Sequence, residues 1–494
     1  QTDQTLRYWL TISGHVSAHS QSLNDTPLAQ DLKDKTGINV EFVHPAIGQE
    51  TEQFNLMLAS KDVPDIIEFG WNNYTGGPES AISKNTIVDL NTVLDAGVSP
   101  NLQKLFDENP DIGKACQTET GKTYIYPFVV KDGLLQTFMG PMVRADLLEK
   151  YNLSAPETID EWTTALKAFK EKKGATAPLT GIKTFYISGG NAFNGAYNIG
   201  QRLYLNGSKI EFGPLQSSYR DYLTTMHQWY QEGLLDQDFS TNKNTIVDAN
   251  ITKGKSGAIV GYLGSAMGRY LKQMQTEDPG YNLVCAPYPV KNKGDKNNFY
   301  LFEGDVCNRY LAITTACKDP ATAAEWIDYL YSDEGYYMVN FGVEGKSYNM
   351  VDGKPVYTDE ILHNPDGLSI NEALCLNCRA TAQAPGFKQA PEYLEQYYEF
   401  QQQIDGFKMW AENVDGVRKT SIPEGLSAEP DESEELSALN TDINTYVEEM
   451  SLKFITGEES FDNYDKFIET LKTTFNVDRY LEIEQNMYDR YLKR

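Results

Sequence analysis

The run VPDIIEFGWNNYTGG, residues 63–77, places Trp71, Asn72, Asn73 and Tyr74 directly after a short apolar stretch and just ahead of two glycines. Flat aromatic faces beside side-chain amides can stack on a ligand while donating and accepting hydrogen bonds. A buried strand that ends in such a loop presents large side chains; the plain alternative is that Trp71 packs the loop. His15 and His19 sit on another polar loop, SGHVSAHSQSLND, as ligand contacts or as ordinary surface histidines. FYISGGNAFNGAYN offers Tyr186, Asn191, Phe193 and Tyr197 on a loop relaxed by glycine, and VGYLGS sets Tyr262 at a strand end. FEGDVCNRY supplies Glu303, Asp305 and Arg309, which suit chelation of vicinal hydroxyls or, equally, a structural charge cluster.

These loops need elements to hold them. TLRYWLTI is β-rich, TPLAQDLKDKTG reads as a helix capped by Thr26 with Pro27 in its first turn and Gly37 at its end, and INVEFV is a strand. A strand, helix, strand unit of this length predicts a parallel crossover. A helix over 49–60 and the VPDII strand continue the alternation. The chain therefore begins as a doubly wound α/β domain, in which ligands sit beyond the carboxyl ends of the strands. Trp71 and Tyr74 lie past one such end, His15 and His19 past another. Later helices are predicted from Thr158, over 215–235, from Asp319-Pro320 and beyond 440, the last interrupted at TGEES. PEGLSAEPDESEEL, within 421–436, reads as a solvated acidic loop.

At 494 residues the chain exceeds what one hydrophobic core usually serves, so two or three domains are expected. A formal net charge of −27 argues against nucleic acid or an anionic membrane surface as a whole-surface partner. No run of 18 apolar residues exists, so nothing in the sequence reads as a membrane-spanning helix. The six cysteines (116, 285, 307, 317, 375 and 378) are scattered. CLNC has half of a zinc-site spacing with no second half nearby, so buried thiols or one local disulfide are expected rather than metal. Aromatic residues make up 12% of the chain, 31 of them Tyr, which is ample for an aromatic-lined groove.

DKTGINVEFVHP followed by PDIIEFGWNNYTGG resembles the start of the maltose-binding type of extracellular solute-binding protein, the receptor of an ABC importer. EQFNLMLASKDVPDII, VRADLLEKYNL, FGVEGKSYNMVDGKP, DINTYVEEMSLKFITGEE and QNMYDRYLK, in that order, resemble the large lipoprotein-type and alginate-binding members of its carbohydrate branch. The resemblance implies an α/β fold of two hinged, doubly wound lobes around a ligand cleft. Carried over, the first lobe is 1–130 with 305–355 and the second is 131–304 with 356–494. It also implies cleft aromatics within PEYLEQYYEF and beyond, namely Tyr393, Tyr397 and Trp410, although their helical spacing suits a core stripe as well. Some large relatives carry an EF-hand-like calcium loop after the helix that matches EWTTALKAFK. Here that place holds KEKKGATAPLTG, which lacks a ladder of carboxylates, so no calcium and no other cofactor is expected.

On this reading the ligand is a carbohydrate, and the chain length and Tyr count favour an oligosaccharide. The further partners are the importer's transmembrane subunits, with the protein acting as a monomer. It would lie outside the cytoplasmic membrane, periplasmic or tethered by a lipid on a residue preceding Gln1. Two alternatives share the composition. A glycosidase also needs aromatics and two carboxylates, but 70 acidic residues make some such pair inevitable, and no GxSxG, HExxH, Walker A or GxGxxG string occurs. A peptide- or signal-binding receptor fits the same fold.

Overall fold

The computed structural model describes residues 5–378 and 387–494, apart from the side chains at 307–309 and 430. The expected opening unit is present. Thr26 caps the helix Pro27–Thr36 by accepting from Ala29 N at 3.4 Å, and Gly37 ends it at φ 69°. That helix joins β1 (Thr5–Trp9) to β2 (Asn39–Val43), which run parallel with Tyr8 opposite Phe42.

The chain continues through β3 (Ile66–Phe69) and β4 (Tyr126–Val129). β5 (Met139–Arg144), β6 (Leu179–Thr180) and a hairpin of β7 (Leu203–Asn206) and β8 (Lys209–Phe212) follow. Then come β9 (Ala258–Tyr262), β10 (Leu283–Cys285), β11 (Val306–Ile313) and a hairpin of β12 (Tyr348–Val351) and β13 (Lys354–Tyr357). Two sheets result, ordered β2-β1-β3-β11-β4 and β10-β5-β9-β6. β11 enters the first sheet antiparallel to both neighbours, so its start and the ends of β3 and β4 lie on one side. Each sheet is covered by helices, giving two α/β lobes.

Three segments cross between the sheets, over 130–138, 286–305 and 387–400; the first two are hydrogen-bonded to each other and the third to the end of β4. Val130 N donates to Asp305 O at 3.0 Å, Glu303 N to Gln136 O at 3.1 Å, and Gln389 N to Val129 O at 2.8 Å. Beside the crossings lies the buried Trp410, whose Nε1 donates to Ala286 O at 2.9 Å. Its ring presses on β5 at Gly140, where an added Cβ would lie 2.5 Å from Trp410 Cζ2. A glycine in mid-strand is explained by that close approach.

Two expectations are corrected. Residues 356–377, read with the second lobe, pack on the first: the helix Ile370–Asn377 lies against Gly14–Ser17 and Pro27–Thr36. His15 Nε2 is 2.8 Å from Asn371 Nδ2, and His19 Nε2 is 2.7 Å from Glu372 Oε1. The return crossing therefore comes after residue 387. The stretch read as an acidic loop is a loop only to 429, because the long helix Pro430–Thr456 begins inside it, its first turn carrying Asp431 and Glu432. Acidic side chains there complement the N-terminal end of the helix dipole, so the composition that suggested solvation also suits a helix start.

Candidate ligand-binding cleft

β9 ends on the lobe boundary. Tyr262, its last residue, is 40% exposed, and the chain then turns through a π-helical stretch, Leu263–Gly268. The Tyr262 ring lies parallel to Phe138, 6.1 Å between centroids with 12° between planes, and meets Phe185 edge-on at 6.2 Å. Phe138 belongs to the first crossing, so the aromatic pair stands where the two lobes meet. Across from it, the third crossing brings Tyr393 and Tyr397, half-buried, with centroids 5.6 Å apart.

These side chains share one cavity of about 240 Å³ with Glu303, Ser265, Asn371 and Gln389. A second recess of about 540 Å³ adjoins it through Gly264, Asn371, Tyr397 and Tyr398. Aromatic walls with a carboxylate, amides and a hydroxyl distributed among them suit a ligand with apolar faces and hydroxyl edges. His15 touches this wall through Asn371, whose Oδ1 also accepts from Cys375 Sγ at 3.8 Å. On the next residue, the Ser369 hydroxyl and His19 hold the Glu372 carboxyl down to about 2.

The cavity thus gathers Tyr262, Glu303, Tyr393 and Tyr397; His15 reaches its wall only through Asn371, and His19 pairs with Glu372, which lines neither recess. Asn72 and Asn73 are exposed beyond β3, where Asn72 Oδ1 accepts from Tyr124 OH at 3.2 Å, and Tyr74 bonds Thr86 Oγ1 at 2.9 Å. The other candidates lie elsewhere. Trp71 is 0% exposed, enclosed by Phe54 edge-on at 5.5 Å and Phe69 at 6.2 Å, so the expected platform is a piece of first-lobe core. Tyr186 and Phe193 are buried too: Tyr186 OH donates to Thr180 O at 2.9 Å, and Phe193 sits between Trp162 and Trp229. Asn191 spans a turn at φ 49°, its Oδ1 accepting from Gln201 N and Asn194 Nδ2, and Tyr197 OH bonds Thr225. Trp410 is crossing core. The Arg309 side chain lies outside the described residues.

Asp305 is structural. Arg418 Nη1 reaches both its oxygens at 2.8 and 3.0 Å, and Gln136 Nε2 donates to it at 2.9 Å. Close by, the carboxyl of the half-buried Glu424 accepts from Val306 N at 2.7 Å. Burial, with Asp305 and Glu303 adding to it, pushes that carboxyl up to about 8. Among the described residues no group of three or more His, Cys, Asp or Glu is placed to hold a metal ion. In the KEKKG stretch, Lys170 and Lys173 donate to Glu232 O and Gly254 O. Cys116, Cys285 and Cys317 carry free thiols, and Cys375 and Cys378 are buried. No described helix is long and apolar enough to cross a membrane.

Sequence reasoning missed Phe138, Ser265, Asn371 and Gln389. The Ser369–Glu372 capping box around Asn371 was legible as S-x-x-E, but its contact with His15 joins residues far apart in the chain.

Residues 23–337 match the family model described as bacterial extracellular solute-binding protein. The fructooligosaccharide ABC transporter substrate-binding protein FusA of Streptococcus pneumoniae is 22% identical over 99% of this chain and 91% of its own. The melibiose/raffinose/stachyose-binding protein MelE of Bacillus subtilis is 24% identical over 59% of this chain and 63% of its own. Among solved structures, the alginate-binding protein AlgQ2 without calcium ion superposes with a TM-score of 0.73 at 25% identity, covering 99% of both chains. With its two α/β lobes, its crossings and this match over most of its length, the chain belongs to the bacterial extracellular solute-binding proteins.

Proposed function

We propose that this protein is the extracytoplasmic receptor of an ABC importer and captures an oligosaccharide between its lobes for delivery to the transmembrane subunits. The observation that carries the reading is Tyr262, an exposed ring braced by Phe138 at the end of a sheet strand, inside a cavity that also holds Glu303, Asn371, Tyr393 and Tyr397. A sugar ring stacked on Tyr262 would bury its apolar face there, while Glu303 and Asn371 bind hydroxyl edges. Tyr393 and Tyr397 would contact the opposite side only when the lobes approach, so bound sugar favours the closed arrangement. Relatives named for fructooligosaccharide, for melibiose, raffinose and stachyose, and for alginate support the ligand class. The protein binds without turnover, works as a monomer, and is held at the cell surface by a lipid.

Calorimetry against neutral and acidic oligosaccharides, with product analysis of each mixture, tests this. Saturable binding of at least one oligosaccharide, recovered intact, is expected. Binding of peptides alone, or cleavage of a bound sugar, would replace the reading with a peptide receptor or a glycosidase.

A further inference from the structure

The cavity under Tyr262 and the recess outside it share one border, and a glycine forms the second-lobe side of that border. Gly264 follows Tyr262 by two residues, in the helical stretch Leu263–Gly268. It lines both spaces together with Asn371, Tyr397 and Tyr398. Asn371 comes from the first-lobe helix Ile370–Asn377 and the two tyrosines from the third crossing, so the way from one space to the other runs between the lobes. Glycine within a helical stretch costs stability unless its backbone or its neighbours call for it. Gly268, four residues on, has a packing reason: an added Cβ would lie 2.7 Å from Gln403 Nε2, which donates to Leu263 O at 2.6 Å. Gly264 has none. Its φ lies outside the left-handed region, and an added Cβ would stand 3.5 Å from Tyr397 OH and 3.8 Å from Tyr398 Cε1, ordinary contact distances. A side chain is allowed there, and it would project toward the other border residues. What the glycine keeps free is the passage.

Size and chemistry give the passage a use. The inner cavity, about 240 Å³, is smaller than the roughly 300–1,000 Å³ of small-molecule sites, whereas the addition of the outer recess, about 540 Å³, brings the space inside that range. The outer recess also repeats the inner pattern of an aromatic face beside polar edges. Phe400 supplies the apolar face. Lys272, Gln273 and Thr276, all exposed, lie along one side of the second-lobe helix Arg269–Glu277, and Ser369 stands opposite on the first lobe. An ammonium, an amide and two hydroxyls can donate to and accept from the hydroxyls of a further sugar in the same chain.

We propose that Gly264 sets ligand length: an oligosaccharide stacks one end on Tyr262, passes Gly264, and rests its other end in the outer recess. Granted the carbohydrate cleft described above, on which this rests, chains that reach both spaces bind tighter than chains that fill only the inner one. A side chain at position 264 therefore costs long chains more than short ones.

The test titrates the full chain by calorimetry with oligosaccharides of graded length: melibiose, raffinose and stachyose, then fructooligosaccharides and alginate fragments, each series from the disaccharide upward. In a series that binds, wild type should hold the longer members at least about tenfold tighter than the shortest member that binds. Gly264→Leu should remove that preference, weakening the longer chains about tenfold and the shortest less than about threefold. Gln273→Ala, which alters the outer recess alone, should weaken the longer chains about twofold and leave the shortest unmoved. An unchanged length preference in Gly264→Leu, equal losses for long and short chains, or equal affinities along the series in wild type would overturn the role of Gly264 while the carbohydrate reading stands. Binding of no sugar by wild type overturns that reading and this one with it. If far-ultraviolet dichroism shows Gly264→Leu unfolded, Gly264→Ala and Gln273→Ala decide by the same comparison of long with short.

Discussion

β3 and β9 run to aromatic residues at their carboxyl ends, yet Trp71 is 0% exposed and Tyr262 is 40% exposed. The difference comes from what covers each end. Beyond β3 the chain makes a tight turn, Trp71–Asn73, which tucks the indole under the helix Glu50–Ser60, where Phe54 stacks on Phe69 at 3.7 Å and meets Trp71 edge-on. Beyond β9 the described helices of the same lobe reach the ring only through Phe185, edge-on, and do not bury it. Phe138 supports one side of Tyr262 and leaves the other to the cleft. A strand end therefore does not by itself expose an aromatic ring. The neighbouring helix decides whether the ring is core or platform.

The largest expected effect lies on the core side of this comparison. Trp71→Ala removes a fully enclosed indole from between Phe54, Phe69 and Tyr74, and should destabilise the protein by about 3–5 kcal/mol. Chemical denaturation of the ligand-free protein would show this as a lower midpoint with an unchanged slope. A variant with an unmoved midpoint and weakened sugar binding would return Trp71 to the ligand.

Tyr262→Ala should do the reverse. If the ring stacks on a sugar, the substitution abandons on the order of 50–80 Å² of apolar contact at roughly 25 cal/mol per Å², about 1.3–2 kcal/mol. Affinity for a bound oligosaccharide should then fall about tenfold to thirtyfold. The denaturation midpoint should barely move, since an exposed ring contributes little to the core. Full affinity in Tyr262→Ala would remove the platform from the cleft.

Why one of these two rings is exposed at its strand end, as expected, while the other is buried follows from the range of the signals. The helix Pro27–Thr36 was legible to the residue because Thr26, Pro27 and Gly37 act on their own neighbours, as were Thr158 and Asp319 as caps. Parallel pairing of β1 with β2 follows from the length between them. The burial of Trp71, by contrast, depends on Phe54, which contacts it only after the helix folds back over β3. Tyr186 and Phe193 look loop-borne beside GG, yet Trp162 and Trp229, from separate helices, enclose Phe193. Trp410 shares its helical stretch with cleft-lining neighbours upstream, and only Gly140 opposite it marks it as core. Asn371 reached the cleft because residues 356–377 stayed with the first lobe, a choice that no local signal records.

The smallest predicted effect separates the two uses a tyrosine has at such a site. Tyr262, 40% exposed, carries both a ring face and a hydroxyl, and the contacts made by other rings are to the ring: Phe138 lies parallel to it and Phe185 meets it edge-on. Tyr262→Phe keeps the ring, its support and nearly all of its stacking area, and removes a hydroxyl whose net hydrogen bond to a partly solvated sugar is at the weak end, about 0.5 kcal/mol. Calorimetry should therefore find affinity reduced only about twofold in Tyr262→Phe, against at least about tenfold in Tyr262→Ala, with equal midpoints for both. A Phe variant as weak as the Ala variant would mean that the hydroxyl, not the face, carries recognition. Tyr262 would then resemble Glu303 and Asn371 in role, and the contrast with Trp71 would be one of polarity rather than of cover.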